Sequence, residues 1–452
     1  MLTKSQICAC LIATILFAGI LASQAAAKKN SEDLRALDLL DKTYHSVVEP
    51  KANPKNLVNS LKLIHQVIER IARSYIEPLS IRELANYSSN AIRRYPSGTP
   101  PKKLADAAIH EMVVRLGDPY AVFDRPFRPQ KEKRVGTIGI EATIVDGRMV
   151  VISPLEGGPA QQAGVKPGDL IVTIDRKEVD GLTLEEAMKR IRGPIGTEVL
   201  LHIQRGGAGK LGLPVTRTRF RVRELRYNVL GDIAHIRIAF FGPNTEKLLR
   251  KSLDAIKQEI GGAEPSGYII DLRNNPGGLV GQAILLADTF LEQGMIVTTA
   301  GRNILGAKRY EAYRGDIAKS RPILILQNGA SASASEIFAA ALKHNRRAVI
   351  LGTRSYGKGV VQTRFPLGAQ GQIKFTTHKY MTAAGTQIHG LGILPHIVIN
   401  GDPRPTYGAA TISIDQCPTA GEERDRMLGC AILFLNKGPS IDAFRKGLRQ
   451  LK

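Results

Sequence analysis

The chain has 452 residues, 43% hydrophobic and 23% charged. That length holds two or three domains, and the composition fits a globular protein with a real core. The formal net charge is +22, which favours acidic partners such as nucleic acid or anionic membrane. Yet the sequence has no zinc-finger spacing, RNP-like aromatic motif or clear recognition helix. The basic residues are spread along the chain, so no nucleic acid is expected, and the charge reads as a general surface property compatible with peripheral membrane proximity.

At the N-terminus, Lys4 precedes the apolar run Ile7–Leu21, and Ala25-Ala26-Ala27 follows. This is a basic region, a short hydrophobic region and a small-residue cleavage site. The run is shorter than the ~20 residues that span a bilayer comfortably. A signal peptide over 1–27, cleaved after Ala27, is therefore expected, with an uncleaved anchor as the alternative. No other stretch reads as transmembrane. Cys8 and Cys10 leave with the leader, and neither sits in a convincing lipoprotein cleavage context. Cys417 and Cys430 remain and can close one disulfide in an oxidising compartment; two reduced, buried cysteines are the alternative.

Residues 28–132 read mainly as helices. In "NSLKLIHQVIERIARSYI", Leu61, Ile64, Ile68, Ile71 and Tyr75 recur in steps of three and four, which places them on one helix face. "KKLADAAIHEMVVRL" repeats the pattern with Leu104, Ala108, Met112 and Leu116. "RRYPSGTPPK" between them is a loop by its Pro and Gly content. The charged stretch "RPQKEKR" then separates this region from the next.

Residues 133–212 read as a small strand-rich domain, with strand candidates at Ile138–Ile144, Met149–Ser153, Leu170–Ile174 and Glu198–Gln204. Asp146-Gly147 is a hairpin signal. Thr183 and Glu186 form a capping-box pattern, and Leu184, Ala187, Met188 and Ile191 make the apolar face of the helix that follows. From about residue 213 strands alternate with helices: "DIAHIRIAFF", "NTEKLLRKSLDAIKQEI", "GYIIDLR", "QAILLADTFLEQ", "RPILILQ", "SEIFAAALKH" and "RAVILG". This alternation predicts an α/β core over 213–405 with both sheet faces covered. "GQIKFTTHKYM" and "LPHIVI" add late strands. The tail 406–452 holds the plausible helix "RDRMLGCAILFL".

Two stretches carry candidate chemistry. Lys358 stands in "SYGKGVV", with glycine on either side permitting unusual backbone angles and close packing. In an apolar site, desolvation makes a lysine easier to deprotonate, and a neutral lysine can act as a general base; a surface loop lysine is the alternative. "GTRSYGKG" also has phosphate-loop spacing, but Gly359 stands where that motif needs Ser or Thr, and a strand follows where it needs a helix. The second stretch, "SASASE", follows the buried strand "ILILQ" and opens a helix. A serine at such a junction lies near orphan helix N–H groups that can stabilise an oxyanion, or it merely caps the helix. Spacing alone does not choose among Ser331, Ser333 and Ser335. There is no G-x-S-x-G elbow and no H-E-x-x-H pair. His378, His389 and His396 are too widely spaced to argue for a metal. His344 and Asp271 could join a serine only through folding.

"NGASASASEIFAAAL", "LGTRSYGKGVVQT", "IIDLRNNPGG" and "GLGILPHIVI" resemble the C-terminal processing peptidases, the S41 serine peptidases. "LGDPYAVF" at 116–123 resembles that family's N-terminal region, and residues 133–210 resemble its embedded PDZ domain. The likeness covers most of 60–400. It implies a multidomain α/β fold: a helical N-terminal region, a PDZ-like β-rich domain, and an α/β peptidase core of the ClpP/crotonase-like type.

The resemblance also implies a catalytic Ser333–Lys358 dyad, with Gln362 orienting the lysine and His344 outside the site. The Ala334 amide and that of Gly277 or Gly278 would form the oxyanion hole, without metal or organic cofactor. It implies that Thr137, Ile138, Gly139 and Ile140 form a carboxylate-binding loop and the start of a peptide-binding strand. Leu184, Met188 and Ile191 would form the other wall, unless that helix only closes a small core. The expected activity is an exported, periplasmic serine endopeptidase that recognises protein substrates with apolar C-termini and processes or degrades envelope proteins. A homodimer and an adaptor lipoprotein are partners known in such a family. The competing reading is a noncatalytic PDZ scaffold with a degenerate peptidase core.

Overall fold

The computed structural model describes residues 31–125, 135–206, 209–220, 222–302, 307–402, 404, 408–421, 424–438 and 440–450. The leader expected over 1–27 and the charged stretch 128–134 lie outside the described residues. No helix among the described residues is long and apolar enough to cross a membrane.

The chain divides into two compact units, one of residues 31–125 with Gln362–Thr376, the other of 135–361 with 377–450. In the first, helices α1 (31–47), α2 (Pro54–Ser74), α3 (Ile81–Arg93) and α4 (Pro101–Arg115) lead to a short strand β1 (Val122–Asp124). Asn53 caps α2 ahead of Pro54, and Ser80 with Glu83 makes a capping box on α3. The buried stripe of α2 is Leu63, Ile64, Val67, Ile68 and Ile71; Leu61 is only partly buried. Leu367, Ile373 and Phe375, more than 240 residues after β1 in the chain, are buried among these helices. The helical region is therefore completed by a late segment that lies inside the 213–405 stretch, which a contiguous reading of the sequence does not show.

The second unit begins with an antiparallel sheet of β2 (Ile140–Val145), β3 (Arg148–Pro154), β4 (Leu170–Ile174), β5 (Glu198–Gln204) and β6 (Lys210–Thr216), paired in that order. Asp146 and Gly147 both have positive φ, 50° and 76°, the requirement of a tight hairpin turn that follows the twist of its strands. Helix α5 (Pro159–Gln162) and the longer α6 (Leu184–Ile191) complete the domain; Thr183 and Glu186 form the reciprocal cap of α6. Strand β6 has no counterpart among the sequence candidates. Gly212 and Pro214 interrupt its composition, but Leu211, Leu213 and Val215 alternate onto the core side, and Pro is tolerated because β6 is an edge strand.

A seven-stranded sheet follows, ordered β7-β8-β9-β12-β13-β16-β17. Its strands are β7 (Leu225–Leu230), β8 (Ile233–Ile238), β9 (Gly267–Asp271), β12 (Ile323–Gln327), β13 (Ala348–Gly352), β16 (Ile397–Ile399) and β17 (Ala410–Ile412). β7 and β8 form a hairpin; every later neighbour pair is parallel. Strands β8, β9 and β12 are buried throughout, as continuous apolar runs in a covered parallel sheet must be.

Helices α7 (Thr245–Glu259), α8 (Val280–Thr289) and α9 (Ala334–His344) share one core with one face of the sheet. Helices α10 (Arg426–Lys437) and α11 (Ile441–Arg449) share another with the opposite face. Strands β10 (Gly294–Gly301) and β11 (Arg309–Ala312) pair beside α8, and β14 (Val360–Pro366) and β15 (Gln372–Met381) each have residues in both units. Cys417 and Cys430 are joined within the second core. The carboxyl ends of the adjacent parallel strands β9 and β12 open into the turns 272–279 and 328–333, the place where an open α/β sheet presents its ligands.

Candidate active site

The turn after β9 is tied by one side chain. Asn275 is fully buried; its Nδ2 donates to the Ile238 carbonyl at 2.8 Å, and its Oδ1 accepts from the Gly277 amide at 2.9 Å. Its carbonyl accepts from the Ala332 amide and from the Ser335 hydroxyl, both at 2.9 Å. Asn275 thus binds the β9 turn to the serine run. Gly277 has φ +107°, and a Cβ there would lie 2.8 Å from Ser333 Cβ and 3.0 Å from the Ala334 nitrogen. Only glycine lets this turn approach the serine so closely.

The three serines of "SASASE" have separate surroundings. Ser331 is buried and donates to the Leu272 carbonyl at 2.8 Å. Ser335 is fully buried on Asn275. Ser333 is the partly exposed one, held at φ +55° at the N-cap of α9. A serine with positive φ is strained, and strain of this kind collects at functional turns. The next amide, Ala334, begins α9 and has no partner within the helix. The Gly277 amide is already bound to Asn275, whereas the Gly278 amide has no acceptor among the described residues. His344 is exposed at the far end of α9, about 16 Å along the axis from Ser333.

Glu336 is the residue that sequence reasoning passed over. It is buried on the first turn of α9, and four donors converge on its carboxyl group. Oε2 accepts from the Ser333 and Lys358 amides, each at 2.8 Å; Oε1 accepts from Ser355 Oγ and the Gly357 amide, each at 2.6 Å. Burial pushes its pKa up to about 6, and the hydrogen bonds from Ser355 and the three amides oppose that rise. The signal in the sequence is the acidic residue that ends "SASASE", three residues after Ser333. It does make the reciprocal cap bond to Ser333, and it also reaches the lysine loop.

Both glycines beside Lys358 have steric reasons. Gly357 has φ +96° and its carbonyl accepts from the Gly390 amide at 2.9 Å; a Cβ on Gly359 would lie 2.4 Å from the His389 nitrogen. The lysine loop therefore packs directly on the "HGLG" backbone. Lys358 Nζ donates to Glu141 Oε1 at 2.7 Å, with the lysine side chain 14% exposed and the glutamate 39%. Gln362, four residues on in β14, donates from Nε2 to Thr376 Oγ1 at 3.4 Å.

Asp271, at the end of β9, is committed elsewhere. Burial would raise its pKa, but the Arg237 and Arg273 guanidinium groups hold it well below the ordinary carboxylate range. Arg237 also binds Glu156, just after β3, and Arg273 binds Asp425 at the start of α10. Among the described residues, no three His, Cys, Asp or Glu side chains converge as a metal site.

In the strand-rich domain, Thr137 and Thr218 exchange backbone hydrogen bonds at 3.0 and 2.9 Å, and Gly139 has φ +74°. Ile138, Ile140 and Ile191 are buried in the domain core, while Leu184 and Met188 are partly buried on the same helix. Strand β2 is an edge of its sheet.

The comparisons with known proteins converge on one family. Residues 232–399 match the model of peptidase family S41, and residues 150–205 match a PDZ domain. A carboxy-terminal-processing protease of Bartonella bacilliformis is 39% identical over 352 residues, covering 75% of this chain and 81% of the relative. The carboxy-terminal processing protease CtpA of Bacillus subtilis is 35% identical over 311 residues, covering 67% of this chain and 65% of the relative. Among solved structures, a photosystem II D1 C-terminal processing protease superposes with a TM-score of 0.67 at 27% identity, over 77% of this chain and 95% of that one. The PDZ domain, the S41 core and a relative this similar over four-fifths of its length show that the chain belongs to the S41 family of carboxy-terminal processing proteases.

Proposed function

We propose that this chain is an exported serine endopeptidase that uses a Ser333–Lys358 dyad on substrates presented by their C-termini. The observation that carries this reading is Glu336, which binds the Ser333 and Lys358 amides through one oxygen and so fixes the two loops against each other. Neutral Lys358 takes the Ser333 proton as Oγ attacks the scissile carbonyl, forming an acyl-enzyme. The Ala334 and Gly278 amides stabilise the oxyanion. The leaving amine departs protonated, and water then releases the acyl group. Gln362 orients the lysine, as the family resemblance implies.

The PDZ domain supports recognition of C-termini. An incoming chain end would extend the sheet along the edge strand β2, with its carboxylate on the loop 137–140 and Leu184 and Met188 on the opposite wall. Processing or degradation of envelope proteins in the periplasm, a homodimer and an adaptor lipoprotein belong to the same proposal, supported by the leader pattern and the family. The test is cleavage of an unfolded protein with an apolar C-terminus by wild type, S333A and K358A. Cleavage by wild type alone is expected. Cleavage by S333A overturns the nucleophile, cleavage by K358A the base, and a folded wild type inert on all C-termini favours a scaffold.

A further inference from the structure

The lysine loop leaves β13 at Gly352 and enters β14 at Val360, with no helix or strand between. A base carried on such a segment is only as well placed as the ties that hold it. Glu336 ties one end, at Ser355, Gly357 and Lys358. The other end is tied from a later part of the chain. Arg354 Nε donates to Asp402 Oδ2 at 2.7 Å, and the two side chains are 13% and 4% exposed. Oδ1 of the same carboxylate accepts from the Arg404 amide at 2.8 Å. The Arg404 guanidinium donates from Nη1 to the Gly390 and Leu391 carbonyls at 3.4 and 3.3 Å. Gly390 closes the circuit, because its amide donates to the Gly357 carbonyl at 2.9 Å.

We propose that Asp402 is a positioning residue for the reaction, fixing Lys358 from behind through Arg354 and through the 390–391 turn. The inference rests on the dyad reading. Asp402 lies between β16 and β17, just beyond the stretch 232–399 that matches the S41 model. Its two arms arrive on one side of the base: Arg354 is four residues before Lys358, and Gly390 binds Gly357, the residue next to it.

Each carboxylate oxygen takes one donor, so an amide in its place turns an NH2 group towards one of the two N–H groups. A buried guanidinium that loses its carboxylate seeks another partner, and the loop moves with it. The nucleophile does not depend on this tie. Ser333 is set by the first turn of α9, and Ser335 behind it is bonded to Asn275. The loss should therefore fall on the base alone, in kcat and not in KM.

The test uses the full chain and Asp402→Asn, with two readouts beside the melt. One is kcat and KM on an internally quenched peptide. The other is the rate at which a small fluorophosphonate labels Ser333, which reads activation of the serine hydroxyl without a bound chain end. Both kcat and labelling should fall by the same factor, on the order of 100-fold for a shift of about 1 Å, with KM unchanged. A folded Asp402→Asn chain with wild-type kcat and labelling, or with a raised KM and unchanged kcat, overturns the proposal. Should that variant not fold, Arg404→Ala replaces it: its side chain is 46% exposed, and its loss leaves the buried pair in place while releasing the 390–391 turn. A severalfold fall in labelling is expected there, and no fall overturns the proposal. Lys358→Ala separates the two readings. Labelling of that variant as fast as wild type sinks the lysine base, whereas slow labelling there beside an unaffected Asp402→Asn sinks the positioning alone.

Discussion

The backbone amides of Ser333 and Lys358 donate to the same oxygen, Oε2 of Glu336, at 2.8 Å each. The turn of the proposed nucleophile and the loop of the proposed base, twenty-five residues apart in the chain, are thereby set against each other by one buried carboxyl group. Removing it orphans buried donors at about 1–3 kcal/mol each and loosens the site, and a shift of about 1 Å costs on the order of 100-fold in rate. Glu336→Gln keeps the shape but turns an NH2 group towards N–H donors. We expect it to lower kcat about 100-fold with little change in KM. A matched loss in KM would point to a binding role instead.

The same carboxyl group predicts a pH dependence. Its pKa is raised by burial from an ordinary 4.5 to about 6. As pH falls through about 6 it takes up a proton, one donor loses its acceptor, and kcat should fall. For stability the sign is opposite. A folded-state pKa above the unfolded one means that the folded chain binds the proton more tightly, so the contribution of Glu336 to stability grows as pH falls from 6 towards 4.5. The low-pH limb of kcat should therefore appear without a matching fall in melting temperature from this group, and it should be absent in Glu336→Gln. A limb that persists unchanged in that variant assigns it elsewhere.

The serines should separate by what they lose. Ser331→Ala and Ser335→Ala each remove a buried hydroxyl bonded to a carbonyl of the β9 turn, at about 1 kcal/mol apiece; their melts should drop while cleavage is retained. Ser333→Ala removes the partly exposed hydroxyl and should abolish cleavage with the melt intact. Parallel melts and single-turnover assays check all three.

How much of this was legible in the sequence depends on how local each feature is. The strands "GYIID" and "ILILQ" and the helix "SEIFAAALKH" are set by continuous apolar runs and a capping residue, and they appear where those patterns place them. Thr183 and Glu186 likewise announce α6. Strands β7, β10 and β11 were missed. β7 is partly exposed along most of its length and mixes Arg, Tyr and Asn with its apolar residues, so neither a strict alternation nor a buried run marks it. The choice among the three serines was not local either: it depends on the Leu272 and Asn275 carbonyls, some sixty residues earlier in the chain. Glu336 was not singled out because three of its partners, Ser355, Gly357 and Lys358, lie across a strand connection. The burial of Leu367, Ile373 and Phe375 among the N-terminal helices is a tertiary fact that no periodicity carries.

Gly277 gives a steric test of the proposed oxyanion turn. With φ +107° and Ala332 O and Ser333 Cβ each 2.8 Å from where a Cβ would stand, Gly277→Ala pushes the turn off Ser333. Backbone strain there costs about 1–3 kcal/mol. The rate should fall by more than the melt implies, because the displaced group is Ser333 itself. A stable Gly277→Ala protein of full activity would show that the turn does not set the nucleophile's position.

The tail offers a last prediction, independent of the chemistry. Cys417 and Cys430 are bonded across a separation of 13 residues, and closing a loop of that size is worth about 3 kcal/mol through the unfolded chain. The bridge fixes the start of the tail to α10, whose Leu428, Ala431 and Phe434 cover the sheet face opposite to α9. Phe434 meets Phe444 of α11 edge-on at 5.7 Å, so the helix pair keeps an apolar core of its own when the bridge is removed. A Cys417→Ala/Cys430→Ala chain should therefore melt several degrees lower yet cleave normally at temperatures well below its transition. Arg273 complicates a purely structural tail, since it joins Asp425 at the head of α10 to Asp271 at the end of β9, just before the turn 272–279. If the double variant loses cleavage while still folded, that ion pair is the route, and Asp425→Asn with the disulfide intact should reproduce the loss.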